Sequence, residues 1–86
     1  MKLYEEIKKI FPDIEKILTA ENLEEFKNTR IADLCLYHIG LGVWLRNNLL
    51  HEESDLYNLF LSDGIKCTDE MSSYIIKLFH YESNKI

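Results

Sequence analysis

Residues 31–45 read IADLCLYHIGLGVWL. Wound as a helix, this stretch is apolar on nearly every side: Ile31, Leu34, Cys35, Leu36, Ile39, Leu41, Val43, Trp44 and Leu45. A helix of that kind belongs at the centre of a fold, because it has no polar face to give to water. Asp33 and His38 interrupt the run, which stays short of the roughly 18 apolar residues that a membrane span needs. With Thr29 as its cap, it predicts one long helix ending near Leu50. Gly40 and Gly42 sit inside it, and each costs about 1 kcal/mol relative to alanine in a helix. Either a neighbouring helix lies closer there than a Cβ permits, or the helix breaks near Gly40 with Trp44 packed over the bend. The two glycines fall on different faces, so they cannot form one smooth groove.

Outward from this centre the pattern stays helical, with no sustained alternation to suggest a strand. Upstream, Leu3, Ile7, Ile10, Ile14, Ile17 and Leu18 recur at three- and four-residue steps. Pro12 falls among them and cannot donate a backbone hydrogen bond, which predicts two short helices meeting there or one kinked helix. Asn22, with Glu25 three residues on, predicts a short helix over 22–27. Downstream, Ser54 caps a helix that stops at Gly64. Thr68 caps a last helix, with Asp69 and Glu70 placed to favour the dipole. Its stripe is Met71, Tyr74, Ile75, Leu78 and Phe79. The expectation is an all-α fold, a compact bundle of about five to six helices with a central, largely buried long helix, and residues 1–86 form a single small helical domain.

Composition supports a folded chain. Apolar residues make up 47% of the 86 and there is one proline, so enough apolar surface exists to offset the entropy of ordering. A domain this small buries roughly 60% of its unfolded surface. The net charge of −5 argues against direct nucleic-acid binding, which needs clustered Lys and Arg, and suits a basic protein partner. Glu5, Glu6, Lys8 and Lys9 interrupt any signal segment. A cytoplasmic protein is therefore expected, with no membrane association and with Cys35 and Cys67 reduced.

Three segments, GLGVWLRNN (40–48), Phe60 with Gly64–Ile65, and DEMSSYII (69–76), resemble a bacterial family called domain of unknown function 6794. Its members carry Gly-Leu-Gly-x-Trp-[Ile/Leu]-Arg-Asn, then a Gly-Ile turn, then His-Pro-Asp-Asp-Met-Ser at the start of a final helix. The resemblance spans about half the chain, from Tyr37 to Tyr81. Cys67-Thr68 stands where the family has His-Pro, and the second tryptophan that often follows the Arg-Asn pair is missing. The resemblance implies the fold and brings no activity with it.

Several constellations could carry chemistry. Arg46 and His51 in RNNLLH (46–51) have the spacing of the helical ribonucleases called HEPN, in which arginine and histidine act on phosphate and ribose across a dimer. Arginine binds phosphate in a fork and histidine titrates near neutrality. Against that reading, Glu52 and Glu53 stand beside the histidine where RNA would approach. Cys35, His38, His51, Cys67 and His80 form the only zinc candidates. Just one close pair, Cys35-x-x-His38, exists where structural sites use two, and a buried thiol is ordinary packing; no metal and no cofactor are expected. Paired acids at 5–6, 24–25, 52–53 and 69–70 read as solvated faces, since acid–base work needs a shared cleft. Lysines interleave them, which weakens a nucleic-acid-mimic reading. Ser72 and Ser73 lack a nucleophile elbow.

By elimination and charge, the sequence suits a non-catalytic acidic protein-binding module. Such a protein would inhibit a larger partner of basic or nucleic-acid-binding character, as immunity proteins, antitoxins and phage anti-defence factors do; a homodimer is compatible with it. The HEPN-like ribonuclease is the alternative, and the partner-binding residues are not assigned. Arg46 and Asn47 are expected to clamp the long helix to the last one. Arg46 would meet Asp69 in a fork and Asn47 would bond a free backbone group, with Gly40, Gly42 and Trp44 setting the approach.

Overall fold

The computed structural model describes residues 2–84, the side chains of Lys2, His38 and Ile39 excepted. Helix α1 (Lys2–Lys9) is followed by α2 (Phe11–Ile17), so two helices meet at Ile10. Pro12 lies in the first turn of α2, where a missing N–H leaves nothing unsatisfied. Helix α3 (Ala20–Asn28) starts earlier than its sequence suggested. Its cap is Thr19, whose hydroxyl accepts the Asn22 N–H at 3.2 Å. Thr29 closes that helix and caps no other: its hydroxyl donates to the Glu25 carbonyl at 2.9 Å.

The central segment is helical throughout but changes pitch twice. A 3₁₀ helix covers Ile31–Tyr37, a π-helix covers His38–Gly42, and α4 covers Val43–Asn48. The 3₁₀ period of three explains which apolar residues face inward. Leu34 is buried and Tyr37 half-buried on one ridge, while Cys35 and Leu36 stand on the other two and are exposed. Leu36 is 73% exposed, and Ile31, although it starts the ridge of Leu34 and Tyr37, is 72% exposed, so the expectation of a helix buried on nearly all sides is corrected for this first part. The wider π turn then resets the phase, and Leu41, Gly42 and Leu45 are buried.

Helix α5 (Asp55–Ser62) is capped by Ser54, which accepts the Tyr57 N–H at 3.1 Å. It ends where Gly64 takes φ +87°. The Ile65 N–H then reaches the Phe60 carbonyl and the Gly64 N–H the Leu61 carbonyl, the paired bonds of a Schellman turn. Helix α6 (Thr68–Ser83) is the longest. Cys67 occupies its cap position without a side-chain bond, and Thr68 is its first helical residue.

Helix α6 lies along all three parts of the central segment and also meets α3, while α1 packs on α2 and α5. Its buried face is Met71, Ser72, Ile75, Ile76, Phe79 and His80. Compared with the expected stripe, this face is rotated by about one position: Tyr74 is exposed and Leu78 half-buried. Phe79 stands at the heart of the core, its ring 5.1 Å from Phe11 and 5.4 Å from Phe26. His80 closes the far end, its Nε2 2.7 Å from the Thr29 carbonyl oxygen. A carbonyl only accepts, so Nε2 carries the hydrogen. Among the described residues there is no strand, and no helix is long and apolar enough to cross a membrane.

Candidate functional site

Two features arise where the central segment changes pitch. The first is polar and faces α6. Arg46, in the last turn of α4, donates from Nη1 to Ser72 Oγ at 3.0 Å. Ser72 donates in turn to the Asp69 carbonyl at 3.1 Å. The same Nη1 stands 3.4 Å from Asp69 Oδ1. The Arg46 side chain is 23% exposed and that of Asp69 74%, so the ion pair lies largely in water and contributes about 0–1 kcal/mol. A hydrogen bond from a charged donor to a buried group contributes about 1.5–3 kcal/mol. Ser72 is therefore the stronger partner, because it is fully buried.

This geometry corrects the expected clamp in two respects. Arg46 approaches Asp69 through one nitrogen at a long distance, which is no fork. Asn47 is exposed and its side chain makes no hydrogen bond among the described residues; Asn48 is the amide that bonds backbone, at 2.9 Å from the Trp44 carbonyl. Ser72 has no part in the expected clamp, although it lies in phase with Ile75, Ile76 and Phe79. A small polar residue on an apolar stripe is the signal that marks it.

The glycines divide between the two features. A Cβ on Gly42 would meet Arg46 Nη1 at 3.0 Å. The guanidinium is the end of a flexible side chain, but it is held by Ser72, so yielding would stretch that bond. Among the described residues, a Cβ on Gly40 would meet nothing within 4 Å. Gly40 instead faces an open, largely apolar cleft of about 450 Å³. Asn22, Glu25 and Thr29 form one ridge of this cleft, and Leu36, Gly40 and Trp44 the other. On α3, spacings of three and four residues put Asn22, Glu25 and Thr29 on one helical face.

The other candidates are dispersed. His51 is exposed in the loop after α4, whereas Arg46 is turned toward α6. Cys35 and Cys67 are free and exposed, which corrects the expectation that Cys35 packs in the core. Among the described residues no group of three or more His, Cys, Asp or Glu could hold a metal ion. The side chain of His38 lies outside the described residues. Of the paired acids, Glu6 is half-buried and bonds Lys9 at 2.8 Å, and the other seven are exposed.

A family model described as a domain of unknown function (DUF6794) matches residues 5–82. The chain belongs to that family. The DUF6794 match runs from α1 to the last turn of α6, so the polar contact and the cleft both lie within it. No curated protein and no solved structure matches the chain.

Proposed function

We propose that this DUF6794 member is a non-catalytic protein-binding module of the cytoplasm. It would inhibit a larger protein in the manner of an immunity protein, an antitoxin or a phage anti-defence factor. The observation that supports it is the open apolar cleft with Leu36 at its rim. Leu36 is 73% exposed and Ile17, which also lines the cleft, 39%, so apolar side chains project outward where a small-molecule site would converge polar groups. Thr29, on the polar ridge of the cleft, has its hydroxyl engaged with the Glu25 carbonyl and its own carbonyl with His80. Half-buried Trp44 supplies the kind of anchor that dominates protein interfaces. The engagement of Arg46 with α6 weighs against the ribonuclease alternative, which needs Arg46 and His51 presented together.

The test is capture from a host lysate, followed by reconstitution of a stoichiometric complex that abolishes the captured protein's activity. In parallel, single-stranded RNA incubated with the purified chain should remain intact. RNA cleavage that disappears in His51→Ala would contradict the proposal.

A further inference from the structure

Resting on the protein-binding reading, we infer that the cleft receives one face of a basic amphipathic helix of the partner, and that Gly40 is kept without a side chain for its closest approach. Among the described residues nothing packs where a Gly40 side chain would stand. The φ of Gly40 is not positive, and a Cβ there would enter open space. Yet glycine costs about 1 kcal/mol in a helix interior. What a Cβ would fill is the cleft itself, so the economy serves whatever enters it.

The shape selects a helix. The cleft runs between two helical ridges, and on α3 the ridge from Asn22 to Thr29 covers about two turns, or roughly 10 Å at 1.5 Å per residue. That length matches apolar anchors at positions i, i+3 or i+4, and i+7 of a helix laid in the groove. An extended segment fits poorly, because among the described residues there is no strand edge to take up its backbone hydrogen bonds. A helix brings those bonds already made.

Charge selects the partner's flanks. Glu25 lines the cleft, and the helices that flank it there, α2 and α3, also carry Asp13, Glu15, Glu21 and Glu24 against Lys16 and Lys27. All five carboxylates are exposed. Lysine or arginine beside the anchors would meet this field, which steers encounter and disfavours acidic competitors.

The experiment is selection of a displayed library of random 18-residue peptides on the intact chain. The dissociation constants of enriched peptides are then measured against wild type, Gly40→Leu, Leu36→Glu and Glu25→Lys. The expected winners carry apolar residues at helical spacing with interleaved Lys or Arg. Gly40→Leu and Leu36→Glu should each weaken them about tenfold or more, with melting temperatures no lower than that of the wild type. Glu25→Lys should weaken them severalfold, less so at high salt. No enrichment, winners without basic residues, or affinities indifferent to Gly40→Leu would each overturn the inference. So would a dimer that Leu36→Glu dissociates, since the occupant would then be a second copy. Binding that ignores the cleft variants sinks this inference alone, whereas RNA cleavage by His51 sinks the protein-binding reading itself.

Discussion

Arg46 shows how one residue's weight depends on its partners' surroundings. The carboxylate of Asp69 is mostly in water and the hydroxyl of Ser72 is buried, so the two partners differ in worth although they share one nitrogen. Ser72→Ala should cost about 1–3 kcal/mol, while Asp69→Ala should stay within about 1 kcal/mol, read from urea denaturation midpoints. Arg46→Ala should cost well over 1 kcal/mol, because it also empties the space beneath Gly42. Equal effects of Ser72→Ala and Asp69→Ala would show that the ion pair matters more than this ranking allows. The arginine and its acid were legible in the sequence as complementary charges on two helices that must pack. Ser72 was not, since a serine's role depends on which way its stripe faces, and that stripe is rotated by one position from its apparent centre.

At the scale of elements, the caps that rest on local chemistry were readable and the pitch of the central segment was not. Ser54 and Gly64 bracket α5 as their residue types suggest, since a hydroxyl accepting an early N–H and a glycine at positive φ are local devices. Gly64→Ala should therefore cost about 1 kcal/mol. Thr19→Ala should cost about 1 kcal/mol and Asn22→Ala clearly less, because Thr19 is the true cap of α3. Thermal melts of the three variants check this order. Residues 31–37 mislead because apolar residues on all sides imply burial on all sides only at the α pitch. A three-residue period leaves two of three ridges facing out, and one of them carries Leu36. A contact between distant elements adds a pH dependence. The Tyr4 hydroxyl donates to the Glu82 carboxylate, and this bond raises the tyrosine's pKa above its ordinary value. A raised pKa stabilises the fold below the ordinary tyrosine range, and that contribution is lost as pH rises through the folded value, above about 10. The stability difference between wild type and Tyr4→Phe should thus shrink from pH 9 to pH 11 in urea titrations; a constant difference would contradict the assignment.

Taken whole, the molecule joins a well-sealed core to one open apolar face. Phe26, Phe60, Phe79 and Leu45 are fully buried, while the 3₁₀ and π turns expose Leu36 and leave Trp44 half-covered beside the cleft. The helical class was readable from the absence of alternation and the run of three- and four-residue steps. The cleft was not, because it exists only where α3 and the central segment diverge, and divergence is a property of two elements together. The two glycines of GLGVW stand on either side of this division: Gly42 makes room for the contact that holds α4 to α6, and Gly40 borders the open face. Their alanine variants separate the two tasks most directly, by the free energy of unfolding in urea. Gly40→Ala should hold or gain stability, by up to about 1 kcal/mol, as helix propensity and the loss of unfolded-state freedom predict. Gly42→Ala should fall at least about 1 kcal/mol below it, because the same gain is offset by displacing Arg46 from Ser72. Equal stability of the two variants, or a loss at Gly40 as large as at Gly42, would contradict the account.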